Sequence, residues 1–167
     1  MKKMVIIAFL SCMLQNFAKA YSTFEIRNLY KKANCEVSSC KKIISILSAY
    51  NETNNTLWAG YKACATMMMA NYVINPYSKL SNFSKGKKLL EKCINADFNN
   101  TELRFLRFSV QTKAPAFLGY TNSIEGDKMF LLQAIKGVTD IDLKNSIMDF
   151  LKNSEYLTKS EKLKLIE

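Results

Sequence analysis

Residues 85–111, KGKKLLEKCINADFNNTELRFLRFSVQ, decide the fold. Gly86, Leu90 and Cys93 fall at helical spacing and share one face. The junction Asn99-Asn-Thr-Glu102 then has the form of a new helix start, a capping residue with an acid three places on. On the second helix, at about 100° per residue, Leu103, Leu106 and Val110 gather on one side. Phe105, Phe108 and Thr112 gather on the other, and Arg104, Arg107 and Gln111 form a narrow polar strip between them. A helix that is apolar on two sides packs between neighbours, which predicts a multilayered helical domain with this segment inside it.

The same start signal recurs at Ser22-Thr-Phe-Glu25, Asn122-Ser-Ile-Glu125, Thr139-Asp-Ile-Asp142 and Thr158-Lys-Ser-Glu161. Leu143, Ile147, Phe150 and Leu151 repeat the helical spacing, and no segment alternates with the two-residue period of a half-buried strand. These patterns predict an all-α domain of seven to eight helices over residues 22–33, 38–50, 56–74, 83–96, 101–113, 123–136, 140–153 and 158–165. Asn51–Thr56, Asn75-Pro76 and Pro115 read as breaks. In the segment 114–120, Phe117 and Leu118 are expected in the core, with Gly119 supplying a turn. Residues 57–74 carry one charge, Lys62, but Gly60, Thr66 and Asn71 spread polarity around the wheel. That predicts a deeply buried helix and not a membrane span.

Residues 1–20, MKKMVIIAFLSCMLQNFAKA, have a basic start, an apolar run and a small-x-small ending. They read as a secretory signal peptide cleaved after Ala20, leaving residues 21–167 as a single helical domain that is periplasmic or extracellular. The formal net charge is +10, with Lys2, Lys3 and Lys19 lying in the leader. A basic exported protein meets anionic lipid, polysaccharide or acidic protein surfaces before nucleic acid, so no nucleic-acid partner is expected. The lysine-rich face of residues 79–92 is a candidate for contact with a membrane surface.

Histidine is absent. That removes Ser-His and Cys-His nucleophile systems and most zinc sites, and no cofactor or metal site is expected. Glu125 and Asp127 are the nearest thing to a catalytic carboxylate pair, but a helix start favours acids for dipole reasons alone. Cys35, Cys40, Cys64 and Cys93 allow three disulfide pairings, among which spacing does not choose.

The hairpin 57–112, with Gly86, Leu90 and Cys93 at small-x3-large-x2-small spacing and Phe98 where a proline is usual, resembles a tetratricopeptide repeat. More broadly, the run from ANYVINPYSKLSNFSKGKKLLEK through RFLRFSVQ and APAFLGY is similar to an uncharacterised family of small exported bacterial proteins. The repeat resemblance implies stacked antiparallel hairpins of the α-α superhelix type, whose concave side binds protein segments.

The chain has three arginines, and two of them stand three residues apart in the polar strip of residues 102–112. Lysine serves wherever a solvated charge suffices. Arginine at both positions asks for planar, multi-donor contact with an anion. Either internal acids such as Glu91, Asp97 and Glu125 supply it, with stacking on Tyr72 or Tyr77, or the strip opens into a groove. In the second case Arg104, Arg107 and Gln111, with Tyr72, Tyr77 and Tyr120 nearby, would hold an acidic group of a protein or peptide. The expected function is thus a non-enzymatic interaction module. The alternative is a carrier for a small anion or amphiphile, with Met67–Met69 lining an apolar cavity.

Overall fold

The computed structural model describes residues 21–165, so the signal peptide expected at residues 1–20 lies outside the described residues. These form an all-α domain: α1 Thr23–Ala33, α2 Val37–Ile46, α3 Thr56–Met68, α4 Pro76–Ala96, α5 Thr101–Gln111, α6 Ile124–Ala134, α7 Ile141–Asn153 and α8 Lys159–Leu163. Short 3-10 turns at Met69–Tyr72, Ala116–Leu118 and Ile135–Gly137 connect them.

Most starts are capped by a side chain. Ser22 with Glu25, and Thr158 with Glu161, form reciprocal capping boxes on α1 and α8. Asn55, Asn75, Asn100 and Asp140 each accept backbone N–H bonds from the first turn of the next helix. Two expected starts shift: α7 is capped by Asp140 instead of Thr139, and α6 begins after Ser123 with no side-chain cap. The largest revision is α4, which begins seven residues before the expected position 83. Proline is tolerated at the first helical position, where its missing N–H has no intrahelical partner, and Asn75 caps the N–H groups of Tyr77 and Ser78. Asn75-Pro76 therefore starts a helix instead of forming a break.

Two apolar clusters make the core. The first gathers side chains from α1 to α5, including Ile26, Ile43, Ala63, Leu90, Leu103 and Leu106. The second joins Phe108 of α5 to Ile124, Leu131, Ile147 and Leu151 of α6 and α7, with Leu157 and Leu165. Helix α5 thus contributes to both, with the two-sided division read from its sequence. No helix among the described residues is long and apolar enough to cross a membrane.

The most extensive packing is between α3 and α4. Its closest point is Gly86, where an added Cβ would stand 2.4 Å from the Ala63 carbonyl oxygen and 2.5 Å from Met67 Cγ. Leu90 and Cys93, which carry the repeat resemblance with Gly86, are fully buried, whereas Phe98 is exposed. A pair of substitutions tests the close approach. Alanine is the better helix former by about 1 kcal/mol. Gly126→Ala in α6, where nothing lies within 4 Å of the new Cβ, is expected to stabilise by roughly that amount. Gly86→Ala is expected to destabilise by about 1–3 kcal/mol, because backbone must move to admit the methyl group. Urea denaturation of the two variants beside the parent gives both signs.

Candidate functional site

The arginine strip of α5 is closed by internal acids. Arg107 is buried and donates from Nε to Asp127 Oδ2 at 2.7 Å, from Nη2 to Asp127 Oδ1 at 2.9 Å, and from Nη1 to Glu91 Oε2 at 2.8 Å. Burial pulls its pKa down, but Asp127 and Glu91 more than reverse this and hold it above the ordinary arginine value. Arg104 pairs with Asp127 Oδ1 at 3.0 Å and stacks on the Phe130 ring at 4.7 Å. Its Nε, and the Oε1 of the buried Gln111, have no hydrogen-bond partner among the described residues. Of the acids expected to face the strip, only Glu91 does so. Asp97 accepts from Asn100 at 2.9 Å, and Glu125 pairs with Lys128 at 2.9 Å.

The predicted groove residues therefore do not converge on an open site. Tyr120 is buried with its hydroxyl donating to Glu91, and Tyr72 donates to the Ala33 carbonyl at 2.8 Å. Tyr77 stands out in solvent. The physical reason is Asp127. It lies on the inward face of α6 with 0% exposure, and a carboxylate buried there requires two guanidinium groups to replace its water. Glu125 and Asp127 thus face different cations, Lys128 for the first and the two arginines for the second.

A second charge cluster escaped the sequence reading. Arg27 of α1 is buried and holds Glu102 in a bidentate pair, with both bonds at 2.7 Å, while its Nη1 reaches Asp140 Oδ2 at 2.8 Å. Tyr61 donates to the same Glu102, and Lys31 bonds Asp142 at 3.1 Å. The bond to Glu102 is the main reason the Arg27 guanidinium is held above its ordinary pKa. Burial, then the Glu102 charge, raises the Tyr61 phenol. Glu102, expected to serve as the capping acid of α5, serves instead as the anchor of α1. The signal was present: Arg27 is the third arginine of a lysine-rich chain, and arginine there asks for a planar anion partner as it does at positions 104 and 107.

The open surface lies on the other side of α5. A groove of about 1650 Å³ runs between faces of α1, α4, α5 and α7. From α4 come Pro76, Lys79, Leu80, Phe83, Ser84 and Lys87, and from α5 Phe105, Ser109, Val110 and Thr112. Helix α7 adds Leu143, Ser146, Asp149, Phe150 and Asn153, and α1 adds Arg27, Tyr30, Lys31 and Asn34. Met67 and Met68 from the end of α3 also line it, as do Lys113, Ala114, Pro115, Phe117 and Leu118. None of the six predicted groove residues lines it. Phe105 and Phe150 meet edge to face at 5.6 Å, as do Tyr30 and Tyr61 at 5.3 Å, so much of the lining is aromatic. Lys79, Lys87 and Lys113 lie along it, with Asp149 and Glu155 contributed by α7 and the segment after it. Phe117, expected in the core, is exposed at its edge, because the turn at Gly119 (φ 59°) leaves the short 3-10 segment on the surface while only Leu118 packs inward.

The four described cysteines carry free thiols, with Cys35 exposed and the others buried. Burial pushes Cys64 up to about 12 and Cys93 up to about 11, which keeps both protonated at neutral pH. Comparison with protein families, with curated proteins and with solved structures gave no match.

Among the described residues, three carboxylates are held below their ordinary values, one of them Glu52 by its bond to Lys92. Asp140 is held below its ordinary 3.8 by the N–H of Leu143 and by Arg27, and Glu161 below its ordinary 4.5 by its cap bonds to Thr158 and by Lys128. A depressed carboxylate stabilises the fold above its unfolded pKa and loses that contribution as pH falls through the folded value. Stability is therefore expected to be level near neutrality and to fall below about pH 4.5. Asp140→Asn is expected to lose stability at pH 7 yet lose less than the parent on acidification. Denaturant midpoints at a series of pH values check both parts.

Proposed function

We propose that this protein is a non-enzymatic, exported interaction module that takes a segment of another protein into the groove between α1, α4, α5 and α7. The observation that carries this reading is the groove itself. At about 1650 Å³ it exceeds the ~300–1,000 Å³ typical of small-molecule pockets, and four helices present apolar and aromatic side chains along it. The resemblance of residues 57–112 to a tetratricopeptide hairpin supports the same use, since such arrays bind protein segments on their concave side. Lys79, Lys87 and Lys113 favour a segment with acidic groups beside its apolar anchors.

Ser84 lines the groove, is exposed and lies outside the core clusters, so Ser84→Trp fills the space without disturbing the fold. An array of amphipathic peptides, half of them acidic and half basic, is the probe. The reading predicts that acidic amphipathic peptides bind the parent and that Ser84→Trp abolishes this binding. Peptide binding that is unchanged in the variant contradicts it. Met67 and Met68 line the same groove and favour, as a second reading, a carrier for an amphiphile. That reading predicts retention of a fatty-acid probe by the parent, its loss in Ser84→Trp, and no peptide binding.

A further inference from the structure

The three most exposed large apolar side chains among the described residues are Ile74 at 96%, Phe117 at 86% and Tyr77 at 85%. Ile74 and Tyr77 stand at the start of α4 and Phe117 on the 3-10 turn Ala116–Leu118, and α4 and this turn border the same groove, an edge here called the lip. Ile74 precedes the Asn75-Pro76 pair and Tyr77 follows it, and Pro76, Leu80 and Phe117 line one groove, with Leu80 itself 58% exposed. The lip is held in shape. Asn75 accepts from Tyr77 N at 2.8 Å and Ser78 N at 3.3 Å, and Phe117 sits in a 3-10 turn closed by the left-handed Gly119.

The charge on the α4 side of this lip is positive, while the groove's acids, Asp149 and Glu155, belong to α7 and the segment after it. Tyr77, Ser81, Lys85 and Lys88 succeed one another along the outer face of α4, and Lys79 and Lys113 stand beside the groove. None of Lys79, Lys85, Lys88 and Lys113 has a carboxylate within ion-pair distance among the described residues, whereas Lys92, farther along α4, is paired with Glu52 at 2.7 Å. The acid of α4, Glu91, is taken by Arg107 and Tyr120.

We propose that this lip docks on an anionic lipid bilayer. Ile74, Tyr77 and Phe117 enter the boundary between headgroups and acyl chains, and Lys85 and Lys88, which lie outside the groove, face the lipid phosphates. Protruding apolar side chains ringed by uncompensated lysines match an interfacial anchor. Tyrosine suits the headgroup level because its ring is apolar and its tip polar. A protein partner would need a concave pocket for each protruding side chain, whereas a bilayer admits them without one. Docked in this way, the domain presents one end of its groove to the membrane surface. Ile74, Tyr77, Lys85 and Lys88 lie outside the groove, whereas Phe117, Lys79 and Lys113 border it.

Vesicle co-sedimentation of the full chain tests it, with vesicles of phosphatidylglycerol and phosphatidylethanolamine in equal parts beside vesicles of phosphatidylcholine. The variants are Ile74→Ser/Tyr77→Ser/Phe117→Ser and Lys85→Glu/Lys88→Glu. All share residues 1–20 with the parent, so differences between them isolate the lip. The parent is expected to bind the anionic vesicles at least about tenfold more tightly than the neutral ones, and each variant to lose about tenfold or more of that binding, with unchanged melting. Ser84→Trp is expected to bind vesicles as the parent does, which separates this outcome from the groove's. Equal binding by parent and serine variant, or equal binding to both lipids, overturns the proposal. So does loss of peptide binding, without loss of vesicle binding, in the serine variant, because that result makes the lip part of a protein interface.

Discussion

Arg107→Leu is expected to lower the unfolding free energy by about 3–5 kcal/mol, the range for removing one partner of a buried ion pair. Asp127 is fully buried, and two of its three contacts with arginine nitrogens come from Arg107. Leucine matches much of the lost volume but returns no donor, so the buried carboxylate is left with Arg104 alone in place of the two guanidinium groups. Glu91 loses its cation in the same step and is left with Tyr120. Two further variants separate charge from volume. Arg107→Lys keeps the charge but cannot fork onto Asp127 while reaching Glu91, and should fall between parent and leucine variant. In Arg107→Leu/Asp127→Leu no charge remains stranded at position 127, so most of the loss should return. Urea denaturation at pH 7 measures all three. A loss below about 1 kcal/mol for Arg107→Leu, the level of an exposed pair, would show that solvent already reaches Asp127.

Arg27→Leu is expected to cost a comparable amount, about 3–5 kcal/mol, and to act across the whole domain. Its bidentate partner Glu102 is buried at the start of α5, and its third contact, Asp140, caps α7. One side chain on the first helix therefore holds the starts of two later helices, more than seventy residues away in sequence. Without it Glu102 keeps the Tyr61 hydroxyl, while Asp140 keeps its cap on Leu143. The α1 face is thus left with only the exposed Lys31–Asp142 pair as its charged attachment to α7, although α7 remains a helix. Amide hydrogen exchange in Arg27→Leu should rise in α1 and in the first turn of α7 before it rises in α3 or α4. A uniform rise would mean that the contact contributes only to global stability.

Much of the helical plan was legible because it is written locally. The capping boxes of α1 and α8, the Asn100 cap of α5 and the two apolar sides of α5 each need only a few neighbouring residues to be read. The start of α4 is also local but was not legible, because Asn-Pro marks both a break and a capped first turn, and only the residues after the proline decide between them. The destination of the arginines was half legible. Their residue type asked for a planar anion partner, and Glu91 was among the acids named. Asp127 was not, because Glu125 and Asp127 stand two residues apart on α6, about 200° around the axis, and only packing shows which one faces inward.

The groove was the least legible feature. It brings together faces of four helices separated by long stretches of chain, and the side of α5 that borders it reads as ordinary core. Phe117 was misplaced for a related reason. An aromatic residue in a short connection is expected to pack, and nothing in APAFLGY shows that Leu118 takes the inward position instead.

The central claim is that the arginine side of α5 is closed and the opposite side is the open, usable surface. Arginine-specific modification with phenylglyoxal, read by mass spectrometry on the folded protein, tests it most directly, because only three positions can react. Arg27 and Arg107, with side chains about 9% and 8% exposed, are predicted to stay unmodified until denaturant unfolds the domain. Arg104, at 21%, is predicted to react slowly. Modification of Arg107 in the folded protein at the rate of a free arginine would contradict the account and return the strip of α5 to the position of an open binding site.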